Sequence, residues 1–174
     1  MFNYDCESLA EQNDIRPRRR AEEASSHNTH NAPKVALKSS TGGLGPLPII
    51  TTLFSDPLAV VDVSISTEGM KNPTILLDFS SILSLPLGIS VTLNFQIRRS
   101  IDDGASVKVG STYTFATLVE ILEAQSFSFQ FADVDVAPGH YTYSVELSTN
   151  SIIDITPGLT IPNATLSALA VDNG

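Results

Sequence analysis

From Pro33 onward the chain alternates apolar and polar residues with a period of two, in one stretch after another. Across Leu58–Ser66, Val61, Val63 and Ile65 fall on one side and Asp62, Ser64 and Ser66 on the other. That alternation marks a strand with one buried face, because successive side chains of a strand point to opposite sides. Ile89–Arg98 repeats it, with Ile89, Val91, Leu93, Phe95 and Ile97 inward and Ser90, Thr92, Asn94, Gln96 and Arg98 outward. Ser126–Asp133 sets Phe127, Phe129 and Phe131 on one face, which predicts three buried rings, and Tyr141–Ser148 does the same with Tyr141, Tyr143, Val145 and Leu147. Shorter strands are predicted at Lys34–Ser40, Ile49–Leu53 and Thr74–Phe79, and a closing one at Ile161–Val171. Val107–Phe115 contains Gly110 and predicts a bent strand. Ala116–Glu123 reads as a single helical turn.

Punctuation between these stretches is regular. Thr41–Pro46 with its glycines, Glu68-Gly69 through Asn72-Pro73, the Ser/Leu/Pro stretch after Phe79, Asp102-Asp103-Gly104 and Ala137-Pro138-Gly139 read as loops or tight turns. Many short strands without sustained helical periodicity predict an all-β, antiparallel sandwich or barrel. About eight strands favour a jelly-roll-like β-sandwich over an immunoglobulin domain, whose Cys…Trp…Cys signature cannot exist in a chain with one cysteine and no tryptophan. Such a sandwich keeps open sheet edges, which are either a hazard or a pairing device.

The first 31 residues break the pattern. They are polar and charged, with Arg16, Arg18, Arg19 and Arg20 clustered and only a weak helical pattern around residues 7–13. Alone, such a segment buries too little apolar surface to offset its ordering entropy. The expected organisation is a polar N-terminal arm, residues 1–31, followed by a jelly-roll domain, residues 32–174.

Charge and composition narrow the partners. The 174 residues carry 19 acids and 10 Lys or Arg, a net charge of −9, which argues against nucleic acid. The arm holds six acids and four bases, so the body holds 13 acids against six bases. A basic arm cluster beside an acidic body suits docking on a neighbouring copy, with a solvated tether as the alternative. No apolar stretch reaches the roughly 18–20 residues of a spanning helix, and the N-terminus lacks the apolar region of a signal peptide. A single cysteine, Cys6, excludes an intrachain disulfide; it leaves a free thiol or a link to another chain.

Catalytic and metal chemistry find little support. His27 and His30, three apart in the arm, could offer two metal ligands, but Cys6 is too distant for a zinc spacing. His140 follows Pro138-Gly139 and reads as a turn residue, and no Gly-x-Ser-x-Gly elbow is present. The acid pairs Asp102/Asp103 and Asp133/Asp135 could act as general acid and base or bind calcium, yet no calcium loop surrounds them, and they read as solvated turn acids. Asn163-Ala164-Thr165 matches a glycosylation triplet but falls within an expected strand. No enzyme activity and no cofactor are expected.

Several segments carry a family resemblance. They are Pro33–Lys38, Val91–Ile97, Ser111–Phe115, Ser126–Phe129, Tyr141–Glu146 and Ile161–Ala170. Through them the body resembles an uncharacterised β-domain family of spore-forming Firmicutes, similar to the jelly-roll subunits of endospore appendages. A looser resemblance, through Gly139–Val145, is to trimeric jelly rolls of the tumour-necrosis-factor type. The first resemblance implies a self-assembling fibre subunit, extracellular or on the spore surface, whose N-terminal connector engages other subunits. Its partners would be copies of itself and other spore-surface proteins. Expected arm contacts are Phe2, Tyr4, Cys6, Arg16, Arg18, Arg19 and Arg20. The competing expectation is a closed jelly-roll trimer or a carbohydrate- or surface-binding module.

Overall fold

The computed structural model describes residues 33–47, 57–86, 90–118, 123–149 and 158–174. Eight strands account for most of them: β1 (Val35–Leu44), β2 (Leu58–Ser66), β3 (Pro73–Leu85), β4 (Ser90–Ile101), β5 (Val107–Leu118), β6 (Glu123–Asp133), β7 (His140–Ser148) and β8 (Thr160–Asp172). None of the described residues is helical.

The strands pair antiparallel as β1 with β8, β2 with β7, β3 with β6 and β4 with β5. All four pairings are centred on one point of the chain. Val35 meets Val171, Ile65 meets Tyr141, Ile75 meets Asp133 and Arg99 meets Val107. The centre is the Asp102-Asp103-Gly104 turn, where both aspartates have positive φ (46° and 59°) and the Gly104 N–H donates to the Ile101 carbonyl at 2.8 Å. Positive φ at both central residues gives the turn a twist that matches the flanking strands. Wrapping this long hairpin yields two sheets, in order β1-β8-β3-β6 and β2-β7-β4-β5. That order is a jelly roll.

The inward phases of both sheets meet in one core. Ile75, Leu77 and Phe79 of β3, Leu93, Phe95 and Ile97 of β4, Tyr143, Val145 and Leu147 of β7, and Leu166, Ala168 and Ala170 of β8 are buried. Val61, Val63 and Ile65 of β2 complete it, as their alternation predicts.

Several strands outrun their sequence signal. β3 does not stop at Phe79; Ser81, Leu83 and Leu85 continue its inward phase and are buried. Ser81 tolerates that position because its hydroxyl donates to the Phe127 carbonyl at 3.2 Å. β1 runs through Thr41–Leu44, where a loop was expected. There Gly42 lies so close to β2 that a Cβ would collide with the Val60 carbonyl oxygen, so the glycine serves strand packing and not a turn. Ala116–Leu118 and Glu123 belong to β5 and β6, not to a helical turn. The Ile49–Leu53 strand lies outside the described residues.

Phe127, Phe129 and Phe131 share a face as expected, but they are half-buried. β6 ends its sheet, so each ring keeps part of its surface in solvent, although Phe129 has both Phe79 (centroids 4.9 Å apart) and Tyr113 as neighbours. Phe129 stacks on Tyr113 of β5 (centroids 3.9 Å apart, 7° between planes), and Phe127 lies 4.9 Å from Phe95.

Candidate assembly surface

Four strands end the two sheets: β1 and β6 in one, β2 and β5 in the other. An end strand leaves alternate backbone N–H and C=O groups without a ladder partner, a template for another chain unless it is blunted. Three of the four are interrupted. The β1–β8 register shifts between Gly42 and Leu44, and the β2–β7 register shifts between Ala59 and Val61. In β5, Gln96 meets Thr112 while Ile97 meets Val109, so Gly110 and Ser111 bulge out. Gly110 has φ 68°, and a Cβ there would lie 2.9 Å from the Phe131 ring. This is the bend its glycine predicts.

β6 differs. Its eleven residues pair with β3 without a break, from Asp133 opposite Ile75 to Glu123 opposite Leu85. Between Ala124 and Ala132 it contains neither a charged residue nor a proline. The Tyr113 hydroxyl donates to the Gln130 carbonyl at 3.3 Å.

The two outer faces also differ. On the β1-β8-β3-β6 sheet, one row runs Leu37, Leu169, Leu76, Ala132, beside Val35 and Val171. Leu37 is 67% exposed, Val35 57% and Leu76 38%. Beyond this aliphatic corner the face turns to hydroxyls, with Ser39 and Ser167 bonded at 3.0 Å. Among the described residues Asp78 is its one charge, accepting from the Gln130 side chain at 2.7 Å. The opposite outer face is mostly polar among the described residues. It carries Asp62, Ser64 bonded to Thr142 (2.8 Å), Arg98 beside Glu146 (3.5 Å), Gln96 bonded to Thr112 (3.0 Å) and Asn94 bonded to Thr114 (2.9 Å). The described Phe and Tyr side chains all lie on the core side of their sheets.

Asp133 is not the solvated turn acid its position suggests. It is 8% exposed, and its Oδ2 accepts from Arg99 Nη1 at 2.8 Å and from the Tyr143 hydroxyl at 2.7 Å. The cluster ties the end of β6 to β4 and β7 of the other sheet. Burial opposes charge on Arg99, but the hydrogen bond and charge of Asp133 outweigh it and hold the guanidinium above its ordinary pKa. Burial, then the bond to Asp133 and its negative charge, push the Tyr143 phenol far above the usual tyrosine range. Burial likewise raises Tyr141, whose hydroxyl donates to the Ala137 carbonyl at 2.6 Å. Arg99 Nε is buried without a partner among the described residues.

The remaining candidates scatter. Asp135 is exposed with φ 56°. His140 is exposed, with Nε2 3.2 Å from Glu68 Oε1 and its N–H donating to Asp102 Oδ1 at 3.3 Å. Asp172 accepts the N–H groups of Lys71 and Asn72 at 3.0 and 3.1 Å; the Asn72 bond foremost holds its carboxyl below the usual range. No group of three His, Cys, Asp or Glu among the described residues could hold a metal ion. Phe2, Tyr4, Cys6, Arg16, Arg18, Arg19, Arg20, His27 and His30 lie outside the described residues.

The chain is similar to parts of distant solved structures. A structure of infectious bursal disease virus, Gx strain, is 10% identical with a TM-score of 0.47; the match covers 83% of this chain and 33% of the viral one. This chain thus spans about a third of the viral chain. The CBM22-1 xylan-binding domain of Paenibacillus barcinonensis Xyn10C is 12% identical with a TM-score of 0.28, over 82% of this chain and 86% of the domain. None of the curated proteins matches. A family model matches residues 35–171, nearly the whole β-domain, so the chain belongs to the family described as Domain of unknown function (DUF4489).

Proposed function

We propose that the protein is a structural subunit that self-assembles, joining jelly-roll domains through strand edges and engaging neighbours with its N-terminal arm. The observation that carries this reading is β6: an uninterrupted edge strand, uncharged from Ala124 to Ala132, in a protein that otherwise interrupts its edges. Monomeric β-proteins blunt such edges with charge, proline or bulges, so an unblunted one fits a strand that pairs. Edge pairing extends a sheet through main-chain hydrogen bonds and needs no catalytic residue. The low-charge outer face of the same sheet suits close packing of neighbours. A fibre on a spore surface or otherwise outside the cell is the setting that the family resemblance implies. A carbohydrate-binding module would instead present rings on an outer face for sugars to stack on, and the described rings face the core. Negative-stain microscopy and sedimentation of the purified chain separate the readings. Polymers of varied length support assembly; a single discrete trimer supports a closed jelly-roll oligomer.

A further inference from the structure

We infer that β6 pairs with β6 of a second copy about a two-fold axis through Ser128, fusing two four-stranded sheets into one continuous sheet. The inference rests on the edge-pairing reading and names its edge and its symmetry. The sequence of the strand is close to self-complementary when reversed. Read outward from Ser128 it runs Phe127 and Phe129, Ser126 and Gln130, Gln125 and Phe131, Ala124 and Ala132. In an antiparallel pair centred there, Phe127 faces Phe129 of the second copy on the core side. On the outer face Ser128 faces Ser128, Ser126 faces Gln130 and Ala124 faces Ala132. A two-fold axis on a residue keeps the ring face against the ring face and the small polar face against its like. A shift by one residue would set rings against serines.

Charge permits this contact where most of the surface resists it. Copies with a net charge of −9 repel, yet the strand is neutral over Ala124–Ala132. Acids occur only at its ends, where this register sets Glu123 opposite Asp133 of the second copy, and Arg99 already offsets the charge of Asp133. The outer edge of β5 could not substitute, because Gly110 and Ser111 break its register. An isologous contact closes at a dimer. A fibre therefore needs a second, different contact, for which the interrupted edges, the aliphatic corner around Leu37 and the arm remain.

Cysteine crosslinking tests the inference. Ser128 is exposed on the outer side of β6, so Ser128→Cys in a Cys6→Ser background leaves the core untouched. Directly opposed antiparallel residues have Cα atoms about 4.5–5.5 Å apart, within disulfide range. Under mild oxidation Ser128→Cys should form disulfide dimers on the order of tenfold faster than Thr41→Cys on β1, because pairing raises the effective thiol concentration. In sedimentation, Ser128→Lys should reduce the dimer fraction while circular dichroism stays unchanged. Equal crosslinking of Ser128→Cys and Thr41→Cys overturns the inference, as does an unchanged dimer fraction in Ser128→Lys. So does a Ser128 crosslink that forms only once residues 1–31 are deleted, which would make the arm the occupant of this edge. Fibres without the crosslink would leave edge pairing standing and remove β6; crosslinked dimers without fibres would keep β6 and remove the fibre.

Discussion

Arg99, Asp133 and Tyr143 form the polar cluster that links the two sheets at one end of the seam between β5 and β6. Removing one partner strands the other, and for a buried pair that costs about 3–5 kcal/mol. Arg99 keeps about a quarter of its side chain in solvent (23%), so the low end applies. Asp133→Ala should destabilise the domain by about 3 kcal/mol in chemical denaturation. An effect within error would show the cluster to be ornamental. Tyr143 makes the pH dependence explicit. Its phenol is raised in the folded state, so above pH ~10 the unfolded chain loses its proton first. The folded state then binds more protons, and stability falls as pH rises through that value. Tyr143→Phe should be less stable at pH 7, having lost its bond to Asp133, and should show a shallower decline above pH ~10. An identical alkaline slope in both proteins would contradict this. The cluster was legible in phase but not in composition. Arg99 continues the inward register of Leu93, Phe95 and Ile97, and Asp133 that of Phe127, Phe129 and Phe131. Two opposite charges on inward positions of different strands imply a meeting. Only the topology says which inward positions are neighbours.

At the level of the strand, alternation located β2, β4, β6 and β7, the other four were legible from β-rich composition between turns, and punctuation misplaced several ends. Ser80-Ser81 looks like a loop and is the middle of β3, because a hydroxyl with a carbonyl partner can occupy a core position. Gly42 and Gly43 look like a turn and are where two strands approach. Gly110 does mark the bend expected of it, since its bulge also needs positive φ. Gly110→Ala would force a side chain into that conformation and against Phe131, so a loss of about 1–2 kcal/mol is expected in thermal melts. An unchanged melting temperature would mean that the bulge relaxes freely. Phe129→Ala should cost roughly half of the ~3–5 kcal/mol of a fully buried phenylalanine, because its ring is half-covered. Soluble, folded but less stable protein is the expected result; complete unfolding would show that the rings belong to the core.

For the whole molecule, the nested hairpin centred on Asp102-Asp103-Gly104 explains why eight short strands give one jelly roll and four sheet ends. Strand number and spacing made the sandwich legible from sequence. The inequality of its edges was not, since an uninterrupted register is a property of pairs. In the proposed assembly the arm would contribute through its basic cluster. Replacing Arg16, Arg18, Arg19 and Arg20 by serine should slow assembly without dissolving formed fibres, because exposed ion pairs give only about 0–1 kcal/mol each and are screened by salt. With one cysteine per chain, a thiol reductant should not dissolve the fibres; complete release of monomer would make Cys6 the principal link. In the proposed function this domain joins copies of itself. Negative-stain microscopy of the purified full chain at rising concentration tests it most directly. Filaments of heterogeneous length are expected, lost or weakened when residues 1–31 are deleted although the domain stays folded. A monodisperse monomer at every concentration would contradict it.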